Sequence, residues 1–129
     1  MRFSQVADVW ARVEAAQHLI AQRESALEAT RANVQRLETT VPMQNQRADA
    51  YRQLVDEQYV SRMEYLAAEK QRVEETQEFA RQKEVLGQDR AALEEARKNY
   101  RALQSGFQQA RQAELAAVET KAASRAQEV

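Results

Sequence analysis

From Val6 onwards, apolar side chains recur at alternating steps of three and four residues over the next fifty positions. The series is Val6, Val9, Val13, Ala16, Ile20, Arg23, Leu27, Thr30, Val34, Leu37, Val41, Gln44, Ala48, Tyr51 and Val55, and twelve of the fifteen are apolar. Such steps average 3.5 residues, the period of a left-handed coiled-coil seam. The alternation of a half-buried strand is absent. The pattern predicts a helix.

Composition agrees with a rod rather than a globule. Two Gly and one Pro leave 129 residues with almost no punctuation, and Ala, Gln, Glu, Arg and Leu dominate. Only 43% of the chain is hydrophobic, much of it alanine, which suits a narrow seam and cannot fill a wide core.

The seam stops at Asp56-Glu57-Gln58-Tyr59-Val60-Ser61. Ser61 and Glu64 then form the Ser-x-x-Glu spacing of a capping box, in which the serine oxygen accepts from a free amide of the new helix. The predicted second stripe runs through Leu66, Val73, Phe79, Leu86, Leu93, Tyr100, Leu103 and Phe107 before fading into alanines. Two long helices with so short a connection fold back antiparallel. The expected fold is all-α, a long antiparallel two-stranded coiled-coil hairpin. Arm one covers about residues 4–56, the tip 56–61 and arm two about 61–126, with contour lengths of roughly 80 and 95 Å at 1.5 Å per residue. Surface pairs such as Asp8 with Arg12 and Glu94 with Lys98 add a few tenths of a kcal/mol each.

Pairing Val13 with Phe107 places Ile20 by Tyr100, Leu27 by Leu93 and Val34 by Leu86. Nearer the tip, pairing Tyr51 with Leu66 and Gln44 with Val73 makes the second helix three residues longer than the first over the same interval. Pro42 lies there. Proline removes a helical hydrogen bond and biases the preceding residue towards extended backbone. A non-helical break near 39–42, interrupting the first arm, is therefore expected, with a gentle proline kink as the alternative.

Charge and composition exclude several functions. The 19 basic and 20 acidic residues are interspersed, giving a net charge of −1 and no basic stripe for nucleic acid. Cysteine is absent, so thiol chemistry is excluded. No apolar run approaches the roughly 18 residues of a membrane span. Met1-Arg2-Phe3-Ser4-Gln5 lacks the apolar core of a secretion signal, and both ends look cut from a longer polypeptide.

Little in the chain points to chemistry. His18, the sole histidine, has Glu14 one turn away, which is a surface pair; a metal site needs several converging donors. Glutamates are plentiful, yet general acid–base catalysis needs a pocket that a two-helix rod does not offer. No catalytic residue, cofactor, metal or enzymatic activity is expected. Tyr51, Tyr100 and Phe107 belong to the seam. Trp10, beside Val9, is placed to meet a neighbouring helix or domain, and Phe3 lies near the same end. Tyr59 and Val60 differ: they are apolar groups beyond the end of the seam. Exposed hydrophobic sites rimmed by polar groups mark docking points, the plainer alternative being that both close the hairpin's own end.

The segment Ala50–Tyr65, AYRQLVDEQYVSRMEY, resembles the hairpin tip of HlyD-type membrane fusion proteins. In their tip motif an arginine is followed four residues on by leucine and seven further on by serine. Leu54 and Ser61 match that spacing, and the surrounding Gln58-Tyr59-Val60-Ser61-Arg62 and the following Glu64-Tyr65-Leu66 also resemble the family. The arginine position is Ala50 here, with Arg47 and Arg52 out of register. That departure points towards the type I secretion adaptors rather than the drug-efflux branch.

The resemblance implies the periplasmic part of an inner-membrane-anchored adaptor from a Gram-negative bacterium. Its partners would be a TolC-type outer-membrane channel at the tip and an inner-membrane transporter through flanking domains. Several copies would assemble side by side to export protein or small molecules. Leu54, Gln58, Tyr59, Val60, Ser61 and Arg62 would make the tip contact. The competing expectation is a structural segment of a cytoplasmic scaffold or filament, forming parallel dimers without activity at the 56–61 turn.

Overall fold

The computed structural model describes residues 3–128, with side chains from residue 5. The Phe3 side chain lies outside the described residues. Two helices account for nearly all of it: α1, Phe3–Asp56, and α2, Arg62–Glu128. They pack as an antiparallel hairpin turning at 57–61, and no strand occurs among the described residues. A chain that reverses in this way is not the straight parallel rod of the competing expectation.

The α1 seam lies where the spacing puts it. Of the fifteen positions from Val6 to Val55, fourteen are buried or half-buried, and only Arg23 is exposed. Side chains one or two places away mostly face water, so the burial itself repeats at 3.5 residues.

The chain divides into two compact units. In the first, residues 24–91 contain the turn. Its core includes Leu27, Val34, Leu37 and Val41 of α1, with Leu37 only 1% exposed. Each such aliphatic side chain contributes about 1.5–3 kcal/mol when fully withdrawn from water. A buried polar residue shares this core: the Thr30 hydroxyl donates to Asp89 Oδ2 at 2.6 Å across the helix pair.

The second unit comprises residues 1–23 and 92–129. Here Leu93 and Ala96 are buried, while Val9, Val13, Ile20, Tyr100, Leu103 and Phe107 are only half-buried. Gln17 Nε2 donates to Tyr100 Oη at 3.1 Å and Gln104 Nε2 donates to it at 2.9 Å. Burial then fades: Leu115 and Val118 are exposed. Glu94 pairs with Arg101 at 3.2 Å rather than with Lys98.

Two expectations near the turn need correction. First, the α2 seam runs through Tyr65, Ala68, Arg72, Glu75 and Phe79, and continues at steps of three and four to Phe107; Leu66 and Val73 are exposed. The true seam is one residue away from the apolar residues that mark it in the sequence. With that register the three surplus residues vanish. Thr30 bonds Asp89 at one end, and Asp49 and Arg72 line the same groove at the other. Between these points α1 uses nineteen residues (30 to 49) and α2 uses seventeen (72 to 89), so α2 is not the longer.

Second, the first arm is not interrupted at 39–42: α1 is continuous, with Pro42 inside it. Proline's fixed φ is already helical, so its penalty is one lost hydrogen bond and a clash with the carbonyl four residues back. That carbonyl belongs to Glu38, and Glu38 and Pro42 both face solvent, where water can take the freed acceptor. Leu37 and Val41, buried in the seam immediately before Glu38 and Pro42, hold the helix across the defect.

Candidate functional site

The turn is built almost entirely from backbone. Helix α1 ends as the seam runs out at Val55, and the amides that follow fold back onto its last carbonyls. Gln58 N–H donates to Val55 O at 3.1 Å and Tyr59 N–H donates to Leu54 O at 2.9 Å. These two bonds define a Schellman ending, which requires a left-handed residue at the first position beyond the cap. That residue is Gln58, with φ 66°. Glycine usually fills this place because a Cβ is crowded there, so the turn accepts a local penalty to keep a side chain.

Helix α2 starts from Ser61, whose Oγ accepts the Glu64 N–H at 3.1 Å. This is the serine half of the capping box that the spacing predicts. Glu64 stands in the first turn of α2, where the helix dipole favours an acid.

The predicted tip residues lie in this turn and at the helix ends on either side of it. Tyr59 is 77% exposed and Leu54 36%. Gln58, Ser61 and Arg62 also face solvent, whereas Val60 is half-buried. Tyr59 therefore projects outward, and Val60 turns in at the end of the hairpin. Sequence reasoning passed over Met63, which is 81% exposed four residues after Tyr59. The signal available was its place in the first turn of α2, two residues before the seam residue Tyr65.

A charged cluster lies behind the tip, where Asn45, Asp49, Arg52, Tyr65, Glu69 and Arg72 line one shallow groove. Arg72 donates to Glu69 from both Nε and a terminal nitrogen. That bond holds the Glu69 carboxyl below its ordinary range, with Arg72 and Arg52 adding attraction and partial burial opposing. Arg72 is raised correspondingly by Glu69, with Asp49 assisting. Arg81 likewise depresses Glu78 by hydrogen bonding, joined by Gln82. All four groups are satisfied locally, as expected of an ion-pair network rather than of a reacting site.

Other candidates do not assemble into sites. His18 and Glu14 are both exposed. Among the described residues, no three His, Asp or Glu side chains are grouped to hold a metal ion. In the second unit Trp10 is 63% exposed beside a groove shared with Val13, Tyr100 and Phe107. Among the described residues, no helix is long and apolar enough to cross a membrane.

A family model described as "CyaD, alpha-helical hairpin domain" matches residues 5–129. No curated protein and no solved structure matches the chain.

Proposed function

The chain belongs to the family of CyaD α-helical hairpin domains, and on that footing we propose that it is the hairpin of a periplasmic, HlyD-type adaptor in a type I secretion system. Such a hairpin links an inner-membrane transporter, held through other domains of the adaptor, to a TolC-type outer-membrane channel. The work is positional. No step of covalent chemistry is assigned to it.

One observation supports the tip as the docking point. Tyr59 projects into solvent from a turn that both neighbouring helices hold rigidly through their caps. An aromatic ring fixed in that way loses little freedom on binding, and aromatic anchors carry much of the energy of small interfaces. Leu54 and Met63 extend the apolar surface, while Gln58 and Arg62 provide hydrogen-bonding groups at its rim. The contact made by one tip is small, so strength comes from several adaptors engaging one channel together.

The test uses the full-length parent adaptor in cells that export its substrate. Leu54→Asp, Tyr59→Asp and Ser61→Asp each place a carboxylate at the tip. Aspartate is itself a good N-cap, so the Ser61 variant keeps the start of α2. Export is expected to fail in all three, with adaptor abundance and helicity unchanged. Normal export from all three variants would defeat the proposal.

A further inference from the structure

Three buried side-chain oxygens in the unit of residues 24–91 have no hydrogen-bond partner within the protein: Thr40 Oγ1, Gln44 Oε1 and Glu75 Oε2. Folded proteins leave few such groups, because each unpaired one forfeits its hydration for nothing in return. Their positions are related by the coiled-coil repeat. Thr30 Oγ1 donates to Asp89 Oδ2 at 2.6 Å. Two heptads nearer the tip along both helices, Gln44 stands in the place of Thr30 and Glu75 in the place of Asp89. Both seams run unbroken through the interval, so Gln44 faces Glu75 as Thr30 faces Asp89. Thr40 lies one helical turn from Gln44, on the same side of α1.

The two layers differ in proton supply. In the first, a hydroxyl gives its proton to a carboxylate. In the second, Gln44 Oε1 and Glu75 Oε2 are both left without a partner, and an amide oxygen and a carboxylate oxygen both only accept. Neither can satisfy the other, so each needs a proton from elsewhere.

We propose that Thr40, Gln44 and Glu75 bind one internal water molecule that bridges the helices. The water donates one proton to Gln44 Oε1 and the other to Glu75 Oε2, and it accepts the Thr40 hydroxyl proton. Three bonds are the usual complement of a buried water, and these three use every orphaned oxygen once. Val41 and Ala48, buried on either side of Gln44 along the seam, separate the node from bulk solvent along the helix pair.

The test is a crystal structure of this chain at a resolution that shows ordered water, together with water–protein cross-relaxation by NMR. A water within about 2.7–3.2 Å of all three oxygens is expected. In solution, cross-peaks should join water to the Gln44 side-chain amide protons and the Thr40 methyl group. Thr40→Val removes the donated proton at nearly constant shape and should weaken those cross-peaks at least severalfold while helicity stays unchanged. The proposal is overturned if Gln44 Nε2 bonds directly to the Glu75 carboxylate with no water between them. Absence of the wild-type water cross-peaks at Gln44 would overturn it equally.

Discussion

Replacing Gln58 by glycine should make the hairpin more stable, although it deletes a side chain. At φ 66° an L-residue brings its Cβ against the following carbonyl, at roughly 1–2 kcal/mol. Glycine escapes that clash but loses about 0.5–1 kcal/mol more backbone freedom on folding. The difference is a net gain of about 0.5–1 kcal/mol. For a chain of this size that corresponds to a rise in Tm of about 2–4 °C, measurable by far-ultraviolet circular dichroism. Amide exchange gives a local measure, because the Gln58 and Tyr59 amides donate to Val55 and Leu54. Both should exchange about two- to fivefold more slowly where opening of the turn limits exchange. Gln58→Val supplies the opposite sign, since a β-branched side chain is worse in this conformation. If glycine destabilises the chain while valine is neutral, the turn is not the Schellman ending described here.

Three other perturbations test the rest of the framework. Pro42→Ala should restore the hydrogen bond to Glu38 O and relieve the clash, raising stability by about 2 kcal/mol in urea unfolding; a loss would mean that the proline is required for the geometry of α1. Thr30→Val removes the donor to Asp89 and should cost about 1–2 kcal/mol, the carboxylate being half-buried; an unchanged unfolding midpoint would count against the polar layer. Acid should weaken the hairpin through Glu69 and Glu78, whose folded carboxyls lie below the ordinary 4.5. Their contribution is complete above the unfolded value and disappears as pH falls through the lower folded value, so a Glu69→Gln, Glu78→Gln chain should show a flatter decline below about pH 4.5.

Legibility of the sequence varied along the chain for a physical reason. Where most seam residues are apolar, as from Val6 to Leu37 with only Arg23 and Thr30 departing, periodicity gives the buried face directly. Near the turn α2 lines its seam with Tyr65, Arg72 and Glu75 and sets Leu66 and Val73 one residue to the side. Counting apolar residues there selects the wrong face. The expectation of a break at Pro42 rests partly on that miscount, since the mismatch it would absorb does not exist, and partly on proline's own aversion to helix. A seam can hold polar groups when they find partners across it, as Thr30 and Asp89 do, and hydrophobicity alone cannot anticipate such partnerships. At the tip, Ser61 announced its cap through its spacing to Glu64. The left-handed backbone at Gln58 was not legible, since glutamine carries no preference for it.

The bonds that shape the apex use main-chain groups and the Ser61 hydroxyl. Among the described residues, none of them draws on the side chains of Leu54, Tyr59, Met63 or Arg62. What the apex looks like and what it displays are therefore written in separate parts of the code. A new set of surface groups can be exchanged at those four places while the handle that carries them stays the same. Selection, or an engineer, can change what the tool grips without rebuilding the tool.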